Sequence, residues 1–67
     1  MSPPKRLTMK IKRYREQSGL SQQALSKKAG LSREYLARLE SGQHNPSLVT
    51  LQKLAKALGV PVTELLG

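Results

Sequence analysis

Apolar residues recur along this chain at three- and four-residue intervals, and most of the runs open on a helix starter and close on a glycine. Leu7, Ile11, Tyr14 and Ser18 share a helical spacing with Lys and Arg between them, and Gly19 follows as a stop. Ser21 is an N-cap candidate flanked by Leu20 and Leu25 as a hydrophobic staple, so a second helix is predicted over 22–29, ending at Gly30. The same grammar repeats at once. Leu31 and Leu36 form the staple, Ser32 the cap, and a third helix runs over 33–41 to the stop at Gly42. After a polar loop over 43–46, Ser47 caps a fourth helix whose stripe is Leu48, Leu51, Leu54, Ala55 and Leu58, closed by Gly59. Pro61 suits the first turn of a short fifth helix that ends with Leu65 and Leu66.

Nothing alternates with period two for long enough to make a strand. The expected fold is all-α: five short helices, each too short to persist alone and held by their leucine faces. Leu25, Ala29, Leu36 and Leu39 are expected to face inward and lock the second and third helices together. Residues 1–6 (Met-Ser-Pro-Pro-Lys-Arg) are proline-broken and apolar-poor. They are read as a flexible basic arm, with residues 7–67 as the single domain.

Composition narrows the chemistry. The chain has 67 residues, so it holds one small core and buries only about 60% of its unfolded surface. Twelve residues are leucine, and with no Trp or Phe the core must be aliphatic. There is no cysteine for a disulfide or thiolate metal site, no aspartate, and only one histidine. No nucleophile–base–orienter set can be assembled, so an enzyme is not expected, nor is a cofactor, a metal or a small-molecule ligand. No apolar run approaches the roughly 20 residues that span a membrane.

The twelve Lys and Arg against four Glu give a net charge of +8, which points to a polyanionic partner. Six of the twelve cations (Lys5, Arg6, Lys10, Lys12, Arg13, Arg15) precede the second helix, with no acid until Glu16. On this count most of the excess charge is a general attraction to a polyanion. Arg33, Glu34, Arg38 and Glu40 in the third helix nearly cancel.

Two short helices joined by Gly-Leu-Ser, the second capped and bearing Arg33, Glu34 and Arg38 on polar positions, fit a helix-turn-helix. Residues 20–42, Leu-Ser-Gln-Gln-Ala-Leu-Ser-Lys-Lys-Ala-Gly-Leu-Ser-Arg-Glu-Tyr-Leu-Ala-Arg-Leu-Glu-Ser-Gly, resemble the Cro/repressor-type (XRE-type, lambda-repressor-like) helix-turn-helix family. Residues 45–60, with Asn-Pro-Ser-Leu at their start, resemble that family's fourth helix, and the likeness covers about residues 7–66. Ser26 departs from it, standing where the family more often has Ala at a tight helix–helix contact.

The resemblance implies a double-stranded DNA-binding domain with the third helix in the major groove. It implies base contacts from Ser32, Arg33, Glu34, Ala37 and Arg38. It implies phosphate contacts from Gln22, Tyr35, Gln43, His44 and Asn45, and a partly buried Arg15–Glu40 pair tying the first helix to the third. An Arg at 33 or 38 is suited to guanine O6/N7, and Glu34 to cytosine N4. The expectation is a cytoplasmic, nucleoid-associated transcriptional regulator, a homodimer repressing at a pseudo-palindromic operator. The plainer alternatives are a solvated helix face for Arg33, Glu34 and Arg38, no special role for His44, and core packing for Tyr14. At the level of the whole chain they are a protein-interaction scaffold of the antitoxin kind, or a basic amphipathic peptide on a membrane surface.

Overall fold

A computed structural model describes residues 4–67, which form five helices in the order α1 (Lys5–Gln17), α2 (Gln22–Ala29), α3 (Arg33–Glu40), α4 (Leu48–Leu58) and α5 (Val62–Leu66). The predicted starters act as caps. Ser21 Oγ accepts from Ala24 N–H at 3.0 Å, Ser32 Oγ from Tyr35 N–H at 3.1 Å, and Ser47 Oγ from Thr50 N–H at 3.1 Å. Each satisfies one of the donors a helix leaves unpaired at its start.

Gly30 closes α2 in the left-handed region at φ 72°. Leu31 N–H can then return to the Ser26 carbonyl at 2.7 Å, and the chain turns directly into α3. A side chain at Gly30 would meet no neighbour, so the demand for glycine there is conformational, not steric.

The core is aliphatic throughout. Ile11 from α1, Leu25 from α2, Leu36 and Leu39 from α3, Leu54 from α4 and Leu65 from α5 are almost wholly enclosed, with Leu7, Ala29, Leu51, Ala55 and Ala57 completing it. α2 packs on both α3 and α4, while α1 packs on α3, α4 and α5. Ser26 is buried at its tight contact and donates to the Gln23 carbonyl at 2.8 Å, so its hydroxyl is satisfied within its own helix.

The sequence reading and the structure differ at five places. The first helix begins at Lys5, not Leu7: Pro4 stands just outside it and its carbonyl accepts from Leu7 N–H at 3.0 Å. Lys5 and Arg6, expected in the arm, therefore belong to the first turn, where a preceding proline costs no hydrogen bond. The rest of the expected arm, residues 1–3, lies outside the described residues. Ser18 caps the end of α1 in solvent instead of continuing its inner face. α3 ends at Glu40, with Ser41 as its C-cap. Leu48 opens α4 but is 57% exposed, because its turn projects beyond the edge of the core, and Ala57 is buried instead. Pro61 is the N-cap of α5, not a first-turn residue. Leu65 enters the core, and Leu66 stays outside it.

Candidate nucleic-acid interface

α3 is amphipathic in the sense the groove-reading geometry requires. Leu36 and Leu39 are fully enclosed, while Glu34 and Arg38 are exposed on the opposite side and Ser32 and Arg33 at the helix's N-terminal end. Ala37 is half-buried between these faces. Ser32 Oγ accepts from Tyr35 N–H, yet its hydroxyl still has a proton to donate. Among the described residues neither Arg33 nor Arg38 is ion-paired. Both guanidiniums are therefore available to a partner, on a helix whose orientation is fixed from behind.

The loop after α3 is fastened to that helix. Gln43 N–H donates to the Arg38 carbonyl at 2.8 Å, Gly42 N–H to the Leu39 carbonyl at 3.2 Å, and Ser41 Oγ–H to the Arg38 carbonyl at 3.0 Å. These bonds pair carbonyls that the helix end would otherwise leave open. His44 then packs on Tyr35, with ring centroids 5.6 Å apart and the planes tilted by 32°, a separation within the range of favourable aromatic pairs. Gln43, His44 and Asn45 are all exposed, immediately before the capped start of α4. Three of the expected contact groups are thus held together: the α3 face, the Tyr35–His44 pair and the loop.

Gln22, expected as a phosphate contact at the start of α2, is also engaged within the protein. Its Nε2 donates to Glu40 Oε1 at 3.0 Å. Glu40 also receives Arg15 Nε at 2.7 Å on Oε2 and Arg15 Nη2 at 3.1 Å on Oε1. Arg15 Nη1 donates to the Leu20 carbonyl at 2.8 Å. One carboxylate therefore joins α1, the start of α2 and the end of α3, with the Arg15 and Glu40 side chains only 11% and 3% exposed. The bidentate carboxylate raises the Arg15 pKa above its ordinary value, so the guanidinium stays charged. Gln22 Nε2 carries a second proton, and that one is not consumed by Glu40.

Sequence reasoning did not foresee Gln22 in this network, nor the Tyr14 hydroxyl, which donates to Glu64 Oε2 at 3.0 Å and ties α1 to α5. Residues 18 and 50 positions apart carry no periodic signal that would pair them.

Among the described residues no helix is long and apolar enough to cross a membrane. The sequence model of a family described as "Helix-turn-helix" matches residues 11–65. The chain is 47% identical over 58 residues to the immunity repressor protein of Bacillus phage phi105, a stretch covering 87% of this chain and 40% of that repressor. It therefore spans about two fifths of the length of that relative. Its fold superposes with a TM-score of 0.87 on the restriction-modification controller protein C.AhdI from Aeromonas hydrophila, at 40% identity over 90% of this chain and 91% of that one. A crystal structure of SinR, the master regulator for biofilm formation, in complex with DNA matches equally well. Its TM-score is 0.87 at 37% identity, covering 91% of this chain and 98% of that one.

Proposed function

This chain belongs to the helix-turn-helix family of DNA-binding transcription regulators, which are not enzymes, and from that premise we propose that it is a sequence-specific repressor of the operator-binding kind. α3 enters the major groove of duplex DNA and reads base edges with Ser32, Arg33, Glu34, Ala37 and Arg38. Gln22, Tyr35, Gln43, His44 and Asn45 hold the backbone on either side. The observation that carries this reading is the pair of unengaged guanidiniums on a short helix whose opposite face is locked into the core. Phosphate contacts set register, and a small number of base contacts set sequence.

A single such module reads few base pairs. Two copies on half-sites about 34–36 Å apart supply the usual specificity, so a homodimer on a pseudo-palindrome is part of the proposal. Bound over a promoter, it excludes polymerase. In the cell it occupies the cytoplasm and, when bound, the nucleoid.

Selection from a random duplex library tests this directly. The expected product is an enriched half-site in two inverted copies at one spacing. A folded protein that enriches no motif would overturn the proposal and favour a protein-binding scaffold. On the selected site, Arg38→Ala should weaken binding by about 1–3 kcal/mol while leaving random duplex almost unaffected. An equal loss on both would make Arg38 a phosphate ligand. Gln22→Ala should instead weaken all duplexes alike, because the proton it presents outward goes to the backbone. A changed base preference in that variant would count against its role.

A further inference from the structure

We infer that the outer face of α1 is a second interaction surface, built to receive an acidic polypeptide segment that carries at least one apolar side chain. Leu7, Thr8 and Ile11 are buried, and Arg15 turns inward to Glu40, so these positions define the inner face of α1. Arg6, Met9 and Arg13 follow at i, i+3 and i+7 on the opposite side, with Lys5 and Lys12 beside them. All five are exposed, Met9 by 50%. Four cations thus surround one thioether, and none of them is ion-paired among the described residues.

These charges are not among the DNA-contacting residues proposed above. Arg15 leaves α1 toward Glu40 of α3, whereas Arg6, Met9 and Arg13 leave it on the far side of that helix. Left alone, the patch costs stability through self-repulsion, which an anionic partner would relieve.

Met9 decides which anion. A sugar-phosphate backbone offers little apolar surface to cover a half-exposed thioether ringed by lysines and arginines. An acidic peptide with an interspersed leucine supplies both carboxylates for the ring and a partner for the sulfur, and methionine adapts readily to such contacts. Shallow grooves border Met9 on both sides, one along Lys5, Arg6, Lys10 and Arg13 and the other along Lys12, Arg13 and Glu16.

The test uses the full chain, labelled for amide NMR, and three probes: a short Glu/Leu peptide, an all-Glu peptide of equal charge, and a duplex. The Glu/Leu peptide should shift the amides of residues 6–13 and the Met9 methyl, leaving α3 unmoved. It should bind about tenfold tighter than the all-Glu peptide, the gain expected from covering much of one thioether side chain. Met9→Ser should erase that preference, and Arg6→Gln with Arg13→Gln should abolish binding of both peptides while duplex affinity stays within about twofold, as for surface changes outside an interface. Equal affinity for the two peptides would overturn the inference. So would peptide shifts on α3, or displacement of the peptide from α1 by duplex or by phosphatidylglycerol vesicles, which would make the face a nucleic-acid or membrane surface.

Discussion

Glu40→Ala should destabilise the domain by about 3–5 kcal/mol, the cost of orphaning a buried charge. The carboxylate accepts from Arg15 twice and from Gln22 once. Without it, Arg15 keeps only the Leu20 carbonyl at 2.8 Å. A guanidinium does not deprotonate at any ordinary pH, so the charge stays when Glu40 is gone. Domains of this kind have total stabilities of about 5–15 kcal/mol, and a small one sits at the lower end. The variant is therefore expected near its unfolding threshold at room temperature.

Thermal unfolding followed by circular dichroism should show Tm lowered by at least about 12 °C, at about 4–8 °C per kcal/mol for a domain of this size. Glu16→Ala is the control, since Glu16 is exposed and unpaired among the described residues, and it should change stability by less than about 0.5 kcal/mol. Replacing both partners, Arg15→Met with Glu40→Leu, should recover most of the loss, because the cost lies in the orphaned charge and not in the absent pair. If Glu40→Ala shifts Tm by only a few degrees, the pair behaves as a surface contact and its joining role fails.

Local signals in the sequence located most of the helices. Ser21 and Gly30 bracket α2 at its observed bounds, as Ser47 and Gly59 do for α4, because capping and left-handed termination are decided within a few residues. The inward turn of Leu25, Ala29, Leu36 and Leu39 was legible for the same reason: periodicity reports which face is apolar. It does not report where the core ends, which is why Leu48 matched the stripe yet lies in solvent. The Pro-Pro pair suggested a break reaching Arg6. Proline, however, is as compatible with the residue before a helix as with a coil.

The candidate site was legible in outline and not in its wiring. Arg15 and Glu40 were expected to pair from family resemblance, whereas Gln22 joining them depends on how α2 lies across α3, which no spacing encodes. His44 offered only a lone imidazole in a loop, and its stacking on Tyr35 follows from the loop's return along the end of α3. Charge was the least transparent quantity. Counting placed six cations before the second helix, but only the register of α1 shows Arg15 turned inward and Arg6 and Arg13 turned away from α3.

Leu36→Ala should cost about 2–5 kcal/mol and carry a functional loss with it. Leu36 is fully enclosed and stands at the middle of α3, one turn from Arg33 and on the side opposite Arg38. The fully buried core is leucine, isoleucine and alanine, and the two tyrosines packed against it are held from outside, Tyr14 by Glu64 and Tyr35 by His44. The cavity therefore stays largely open, and the cavity term adds to the lost transfer energy. α3 has eight residues, too few to hold a helix without its packed face. Loosening that face also loosens the angle at which the two arginines are presented.

Chemical denaturation should show a lower midpoint for the variant with little change in slope, the mark of reduced stability in an unchanged fold. Duplex binding measured at low temperature, where the variant is still folded, separates the two consequences. Affinity for a selected site should fall there as well, because base contacts depend on a fixed helix, while binding to random duplex changes less. If the folded variant binds both duplexes as the parent does, α3 is held in place by its caps and the Glu40 network alone, and the packing of Leu36 contributes only to stability.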